Sequence, residues 1–338
     1  MKKLLSAIII VVIALSFVSC KNSDTPCTDE MYALDTLITF KVYGDEQKAQ
    51  NATDKAKKEI QRLEELFSVN KDGDVKKINE SEDFVAVSDE TMFLLNTAQN
   101  VSKDTDGAFD ITIYPIMKLW GFTDKNYKVP TDEKIKETLQ FVDYKKVALD
   151  DKKVKCEKGV YIDLGAIAKG YIGDKVAKIF EDENLSAIID LGGNIVLVGK
   201  KPDGTDYKVG ITCPEAVGDY FCTVDMKYKS AVTSGAYQRF FEENGKLYHH
   251  IMNPKTGKPS QSDISSVTVF SNDTALADAY STSIFVMGID KSKEFLKNKK
   301  DIAVAILDSE KKKLYVSEDI AKDITLQQNY KDIEIATI

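Results

Sequence analysis

Guanidinium and imidazole are nearly absent from this chain. Of its 338 residues only Arg62 and Arg239 carry the first, and only His249 and His250 the second. Any chemistry that needs either group is confined to those places. There is one Trp, there are seven Pro, and the five Cys form no CxxC and no Cys/His spacing of the zinc-binding kind. Internal repeats and long Pro- or Gly-rich linkers are missing too. So is any excess of base: 46 Lys and Arg stand against 54 Asp and Glu, a net charge of −8. Without the first 20 residues, which hold two Lys and no acid, the balance is 44 − 54, or −10. A nucleic-acid binder needs a face of the opposite sign, so no nucleic acid is expected as a partner. At 43% apolar and 30% charged the chain is neither disordered nor collagenous, and it is long enough to bury a sizeable core.

What is present begins with a targeting segment. Lys2 and Lys3 precede an apolar run, Leu4 to Val18, that ends at Ser19-Cys20. A basic start, a short apolar stretch and small residues at its end read as a secretory signal, too short for a comfortable membrane span. Cys after Phe17-Val18-Ser19 resembles a bacterial lipobox, with Phe17 where Leu is usual. On that reading residues 1–19 are a lipoprotein signal and Cys20 is lipidated; the alternative is an ordinary cleaved signal. A diacyl anchor supplies the two chains that stable attachment needs. The polar stretch 20–30 reads as a tether and 31–338 as the folded domain. Outside the cytoplasm Cys27, Cys156, Cys213 and Cys222 are free to pair in three ways, with Cys213 and Cys222 flanking a loop.

Periodicity sets the fold class. Thr36 to Val42 alternates as a strand, and Ala52, Ala56, Ile60, Leu63 and Phe67 form a helical stripe. Ser88 caps a helix to about Lys103, and Thr131 another to about Phe141. Strands are expected near 146–149, 153–156 and 159–163, then a helix from Lys169 to Phe180. Strand-like runs dominate from Ala187 to Phe270. A helix over 274–287 ends at Gly288, and the tail 301–338 alternates short strands with turns. Without regular βα alternation this is an α+β domain with largely antiparallel sheets and flanking helices.

Five motifs carry candidate chemistry. Asp163-Leu164-Gly165-Ala166-Ile167-Ala168-Lys169-Gly170 runs from an apolar stretch through a small-residue turn into a helix, an arrangement suited to an anion; a plain Gly-packed junction is the alternative. In Ala277-Asp278-Ala279-Tyr280-Ser281-Thr282, Asp278 and Thr282 are i and i+4 on a helix, so both oxygens face one way. A carboxylate with a hydroxyl suits Mg²⁺, although a satisfied buried Asp fits the same pattern. Thr233-Ser234-Gly235 through Arg239 leads to Tyr248-His249-His250-Ile251-Met252-Asn253-Pro254. Adjacent strand residues point to opposite faces, so one histidine at most serves a given site. There is no G-x-S-x-G elbow for a serine hydrolase. Gly107-Ala108-Phe109-Asp110-Ile111-Thr112 mixes a turn with a carboxylate. Asp190-Leu191-Gly192-Gly193-Asn194 reads as a hairpin turn.

In this order, GAFDITIYP, LWGF, DLGAIAKGY, DLGGN, TSGAYQRFF, HIMNPKTGKP and ADAYSTSIFVMG resemble the bacterial ApbE family of FAD:protein FMN transferases, over about residues 31–310. The resemblance implies a Mg²⁺-dependent enzyme, typically an extracytoplasmic lipoprotein on the cell membrane. Such an enzyme cleaves FAD and attaches FMN to a Thr or Ser of a membrane or secreted redox protein, releasing AMP. It implies FAD contacts at Leu34, Asn70, Ala108, Phe109, Asp110, Asp163, Lys169 and Ile251. It places Mg²⁺ between the Ala166 carbonyl, Asp278 and Thr282, and it makes His250 the base for the acceptor hydroxyl. Two departures stand out: Leu34-Asp35-Thr36 replaces the usual Met-Gly-Thr, and Asn70 falls where a Tyr often meets the flavin. A plain FAD pyrophosphatase and a non-enzymatic flavin- or solute-binding lipoprotein are the rival readings.

The lipobox reading has a direct check. Cys20→Ala is expected to leave an unprocessed precursor and abolish lipid labelling; labelling that persists contradicts it.

Overall fold

The computed structural model describes residues 25–214 and 218–338. Its centre is a nine-stranded sheet in the order Cys27–Ala33, Thr36–Tyr43, Ser186–Asp190, Asn194–Val198, Ser230–Gly235, Ile264–Ser271, Ile302–Asp308, Lys313–Val316, Glu334–Thr337. All neighbours are antiparallel except the last pair. Eight helices accompany it among the described residues: α1 (Glu46–Phe67), α2 (Asp74–Glu80), α3 (Asp89–Asp104), α4 (Tyr114–Leu119), α5 (Asp132–Leu139), α6 (Ala168–Asp182), α7 (Thr274–Met287) and α8 (Ile289–Leu296). The α+β expectation holds.

Because strand side chains alternate between faces, the sheet serves two cores. Val196, Val232, Val267, Val269, Val304 and Ile306 pack with α1, α3, α6 and α7. Ile195, Leu197, Ala231, Phe270, Ala303 and Leu307 face the other way, onto the hairpin Lys208–Thr212 and Tyr220–Asp225. A third, aromatic cluster of Ile116, Trp120, Phe122, Ile135 and Met252 is fixed by the Trp120 indole donating to the Gly257 carbonyl at 2.8 Å.

Helices α6 and α7 pack so closely that glycine is obligatory: a Cβ on Gly170 meets the Thr274 carbonyl oxygen at 2.2 Å. Each helix supplies an acceptor to the other's first turn. Asp174 of α6 accepts from Thr274 N–H at 2.9 Å and Thr274 Oγ1 at 2.7 Å, while Asp278 of α7 accepts from Gly170 N–H at 2.8 Å. Both contacts satisfy N–H groups that a helix start leaves open.

Several expectations need correction. The segment 159–163 is no strand; Asn79 of α2 takes both backbone groups of Ile162, at 2.8 and 2.9 Å, so no ladder forms. The stretch 20–30 is not all tether, since Cys27–Glu30 already pair with Thr39–Val42 in the first two strands. Cys213 and Cys222 do not bridge: both are free, buried thiols, and burial pushes the Cys222 thiol up to about 12. The helices α2, α4 and α8 escaped the sequence reading because seven, six and eight residues show too little of a helical period. The signal and Cys20 lie outside the described residues.

The mutual capping predicts a stability effect. Asp174→Ala should cost about 1–2 kcal/mol, the value of a lost helix cap, seen as a fall in Tm of several degrees by calorimetry. Gly170→Ala should be worse, because its added methyl meets backbone. An unchanged Tm in both contradicts the clasp.

Candidate active site

The turn before α6 is held by Asp163, whose Oδ1 accepts from Gly165 N–H at 2.8 Å, while Asp163 N–H donates to the Ile111 carbonyl at 2.8 Å. The second bond ties the Gly107–Ile113 loop to the turn. No side chain caps α6, and no acid lies in its first turn. Leu164 O accepts from Ile167 and Ala168 N–H, and Asp278 takes Gly170 N–H. Among the described residues nothing accepts from Lys169 N–H, and no acid pairs with the Lys169 ammonium. A free N–H and a free ammonium at the start of a 15-residue helix suit an anion.

Across from this terminus stands Asp278, 5% exposed. Burial pushes its carboxyl above the usual range, while the Lys169 charge, the nearby Asn194 amide and the Gly170 N–H pull it back. Asp163 is likewise raised by burial and drawn down by Arg239. Arg239 Nη2 donates to the Phe122 carbonyl at 2.7 Å, and its own carbonyl accepts the His250 N–H at 3.0 Å. Asp163, Lys169, Arg239, His250 and Asp278 therefore form one electrostatic cluster.

The two histidines separate cleanly. His249 is buried against Phe285 of α7; its Nε2 donates to the Ser260 carbonyl at 2.9 Å, and its Nδ1 accepts from Ile251 N–H at 3.3 Å. Both nitrogens are spent. His250 Nδ1 lies 3.2 Å from the Arg239 carbonyl. A carbonyl only accepts, so this contact assigns the proton to Nδ1 and leaves the Nε2 lone pair without a protein partner. Burial first, and the Arg239 guanidinium second, push the His250 imidazole down to about 3, so it is neutral at neutral pH.

The donor set fits a hard divalent cation. On α7, Ser281 and Ser283 return their hydroxyls to the carbonyls of Asp278 and Ala279, each at 2.8 Å, whereas the Thr282 hydroxyl has no hydrogen-bond partner among the described residues. The Ala166 carbonyl accepts none from the backbone, because Gly170 N–H is diverted to Asp278. Only Oδ2 of Asp278 meets a donor at hydrogen-bond distance. A carbonyl and a hydroxyl without protein donors, beside a carboxylate with one oxygen still open, are ligands of the Mg²⁺ type. Among the described residues no group of three or more His, Cys, Asp or Glu offers the softer alternative.

The other expected residues lie in varied surroundings. Asp110 spends both oxygens on structure: Oδ1 on Thr112 N–H and Oγ1, Oδ2 on Tyr144 N–H at 2.9 Å. Ala108, Phe109 and Ile251 are buried. Leu34 and Asp35 form the two-residue turn between the first strands at φ 55° and 58°, the left-handed region that glycine enters freely. Leu34 N–H donates to Glu64 at 2.8 Å. Asn70 is exposed beyond α1, and no hydrogen bond ties it to the cluster. Arg239 is a residue the motifs assign no role; its signal in the sequence is scarcity, as one of two arginines.

The sequence pattern of the ApbE family matches residues 34–306. A protein of Haemophilus influenzae named FAD:protein FMN transferase is 31% identical over 325 residues, covering 91% of this chain and 93% of its own length. One of the same name from Treponema pallidum is 36% identical over 217 residues, 59% of this chain and 60% of its own. The crystal structure of the ApbE protein from Thermotoga maritima superposes with a TM-score of 0.78 at 32% identity, covering 91% of this chain and 99% of that one. The flavin transferase ApbE of Vibrio cholerae shares the fold, with a TM-score of 0.75 at 23% identity over 83% of this chain and 93% of its own.

The depressed His250 sets a pH dependence. Free histidine titrates at 6.5 and His250 only at about 3. As pH falls below 6.5 the unfolded chain gains a proton that the folded chain refuses. This part of the stability is complete above that pH and is lost on the way down to about 3. His250→Gln should therefore make Tm fall less steeply over that range than in the wild type; parallel curves contradict the assignment.

Proposed function

Because the chain belongs to the ApbE family, we propose that it moves FMN from FAD to a Thr or Ser hydroxyl of a protein, releasing AMP, with Mg²⁺ as the assisting cation. The family membership gives the class, a flavin transferase acting on FAD and a protein. The observation that carries the finer reading is the convergence of three things on one cluster: an anion-ready helix start at Lys169, an oxygen set at Ala166, Asp278 and Thr282 in which only Asp278 Oδ2 accepts a protein hydrogen bond, and a neutral His250 with a free Nε2.

The diphosphate of FAD is placed at the start of α6, where Lys169 N–H and the Lys169 ammonium offset its charge. Mg²⁺, held by the Ala166 carbonyl, Asp278 and Thr282, supplies Lewis-acid polarisation of the diphosphate when bound. Nε2 of His250 accepts the proton of the acceptor hydroxyl as that oxygen bonds to the FMN-side phosphorus. The bond from this phosphorus to the bridging oxygen breaks, and AMP leaves with that oxygen. Arg239 fixes the His250 tautomer through its carbonyl and adds positive charge beside Asp163. His249 holds the turn at Ile251 and Ser260 and takes no part in the proton transfer.

The acceptor is a membrane or secreted redox protein with an exposed Thr or Ser. The enzyme works on the extracytoplasmic face of the cell membrane, anchored through Cys20, with residues 31–338 as its catalytic domain. The signal-like start of the sequence supports this placement.

The test is to incubate the protein with FAD, Mg²⁺ and membrane proteins, reading in-gel flavin fluorescence and AMP release together. The wild type is expected to give both. Asp278→Ala should lose both by orders of magnitude. His250→Ala should lose transfer by about 10²–10⁴-fold, the usual contribution of a positioned base, with FAD affinity kept. His249→Ala should transfer normally once matched for folded fraction. AMP release without protein fluorescence would make the chain a pyrophosphatase, and FAD binding without either product a flavin store.

A further inference from the structure

One buried polar group near the cation ligands has no partner. Asn194 opens the strand Asn194–Val198 and is 1% exposed, yet its side-chain Nδ2 donates to nothing. The hairpin does not need this amide. Asp190 already holds the Gly192-Gly193 turn, with Oδ1 accepting both N–H groups at 2.9 and 3.0 Å, and Asn194 contributes its main-chain carbonyl to Leu191 N–H at 3.0 Å. The side chain shares its face with Val196, which lies directly under Gly173 of α6, so it points to the α6–α7 junction rather than to the second core. There it stands beside the Asp278 carboxylate, near enough to draw that carboxyl down, yet Nδ2 completes no well-formed hydrogen bond. A buried amide left unpaired costs stability, and a Leu of similar shape would not carry that cost.

We infer that Asn194 is a positioning residue for the cation site: with the cation in place, its Nδ2–H donates to the Asp278 carboxylate alongside the Gly170 N–H. The two donors, one from a strand and one from the start of α6, fix the carboxylate from behind. Its remaining lone pairs then aim toward the Ala166 carbonyl and Thr282 Oγ1. Carboxylates that ligate a metal are themselves hydrogen-bonded, and loss of such a supporting partner weakens metal affinity about tenfold to hundredfold. The polar group is thus retained at a cost to the metal-free protein, because it is satisfied only in the loaded state. The inference rests on the Mg²⁺ reading above and concerns a residue that reading does not use.

The experiment compares the wild-type protein with Asn194→Leu and Asn194→Ala. Binding of Mn²⁺, standing in for Mg²⁺, is followed by loss of the free-ion signal in electron paramagnetic resonance, and Tm is measured without metal. Asn194→Leu is expected to keep or raise the metal-free Tm while weakening Mn²⁺ binding about tenfold or more. Asn194→Ala should weaken binding similarly, and it decides the matter if the Leu variant does not fold. Unchanged Mn²⁺ affinity in the folded variants overturns the inference. So does a metal-free Tm that falls in both variants together with intact binding, since Asn194 is then purely structural. A wild type that binds no Mn²⁺ overturns the cation site itself, and this inference with it.

Discussion

The clasp between α6 and α7 is the constraint on which the rest depends. Two glycines, Gly170 and Gly173, let α6 approach α7 and the sheet so closely that any side chain there would collide with backbone or with Val196. In that position each helix lends a carboxylate to the other's N-terminus, Asp174 to Thr274 and Asp278 to Gly170. The second contact does more than cap. It removes the Gly170 N–H from the Ala166 carbonyl, which would be its partner in a continued helix, and so frees that carbonyl. One bond thereby positions the carboxylate and frees a second oxygen beside it. Thr282 follows from helical geometry, one turn along from Asp278.

Charge explains why so few groups suffice. The chain is acidic, at −8, and its proposed substrate carries a dianionic diphosphate, so local positive charge has to be concentrated. One of its two arginines is unavailable: Arg62 is locked by Glu59 and Glu90 on the surface of α1, which raises its basicity further. Arg239 is the other, and it stands in the site. Among the described residues the Lys169 ammonium closes no ion pair, and its charge acts on Asp278 and His250. Burial raises Asp163 and Asp278, a state that an arriving cation reverses.

Much of this was legible in the sequence because it is local. The helix Thr274–Met287 came out with its observed limits, and with it the shared face of Asp278 and Thr282. Ser88 and Thr131 cap as their positions imply. The two histidines are expected to separate by strand alternation, but the strand ends at His249, and it is their hydrogen bonds that set them apart. What stayed hidden depends on contacts distant in sequence. Nothing near Ile162 announces that Asn79 will take both of its backbone groups, 83 residues away, and so displace a strand. Asp110 is implied as an FAD contact only by the family resemblance, and only the fold reveals its hydrogen bonds to Thr112 and Tyr144. Asn194 gave no signal beyond its hairpin, since an unsatisfied amide is defined by what surrounds it. The likeness of whole motifs to a family carried the reading past these gaps, because it compares arrangements rather than single residues.

The central claim is that the α6–α7 clasp builds a cation site of three oxygens from Ala166, Asp278 and Thr282. The most direct measurement is an anomalous difference map from a crystal of the protein soaked with Mn²⁺ and FAD. The account predicts one strong peak within coordination distance of the Ala166 carbonyl oxygen, an Asp278 carboxylate oxygen and Thr282 Oγ1, with the FAD diphosphate on its open side. A peak elsewhere on the molecule, or bound FAD whose diphosphate contacts the protein with no metal at these oxygens, would contradict it.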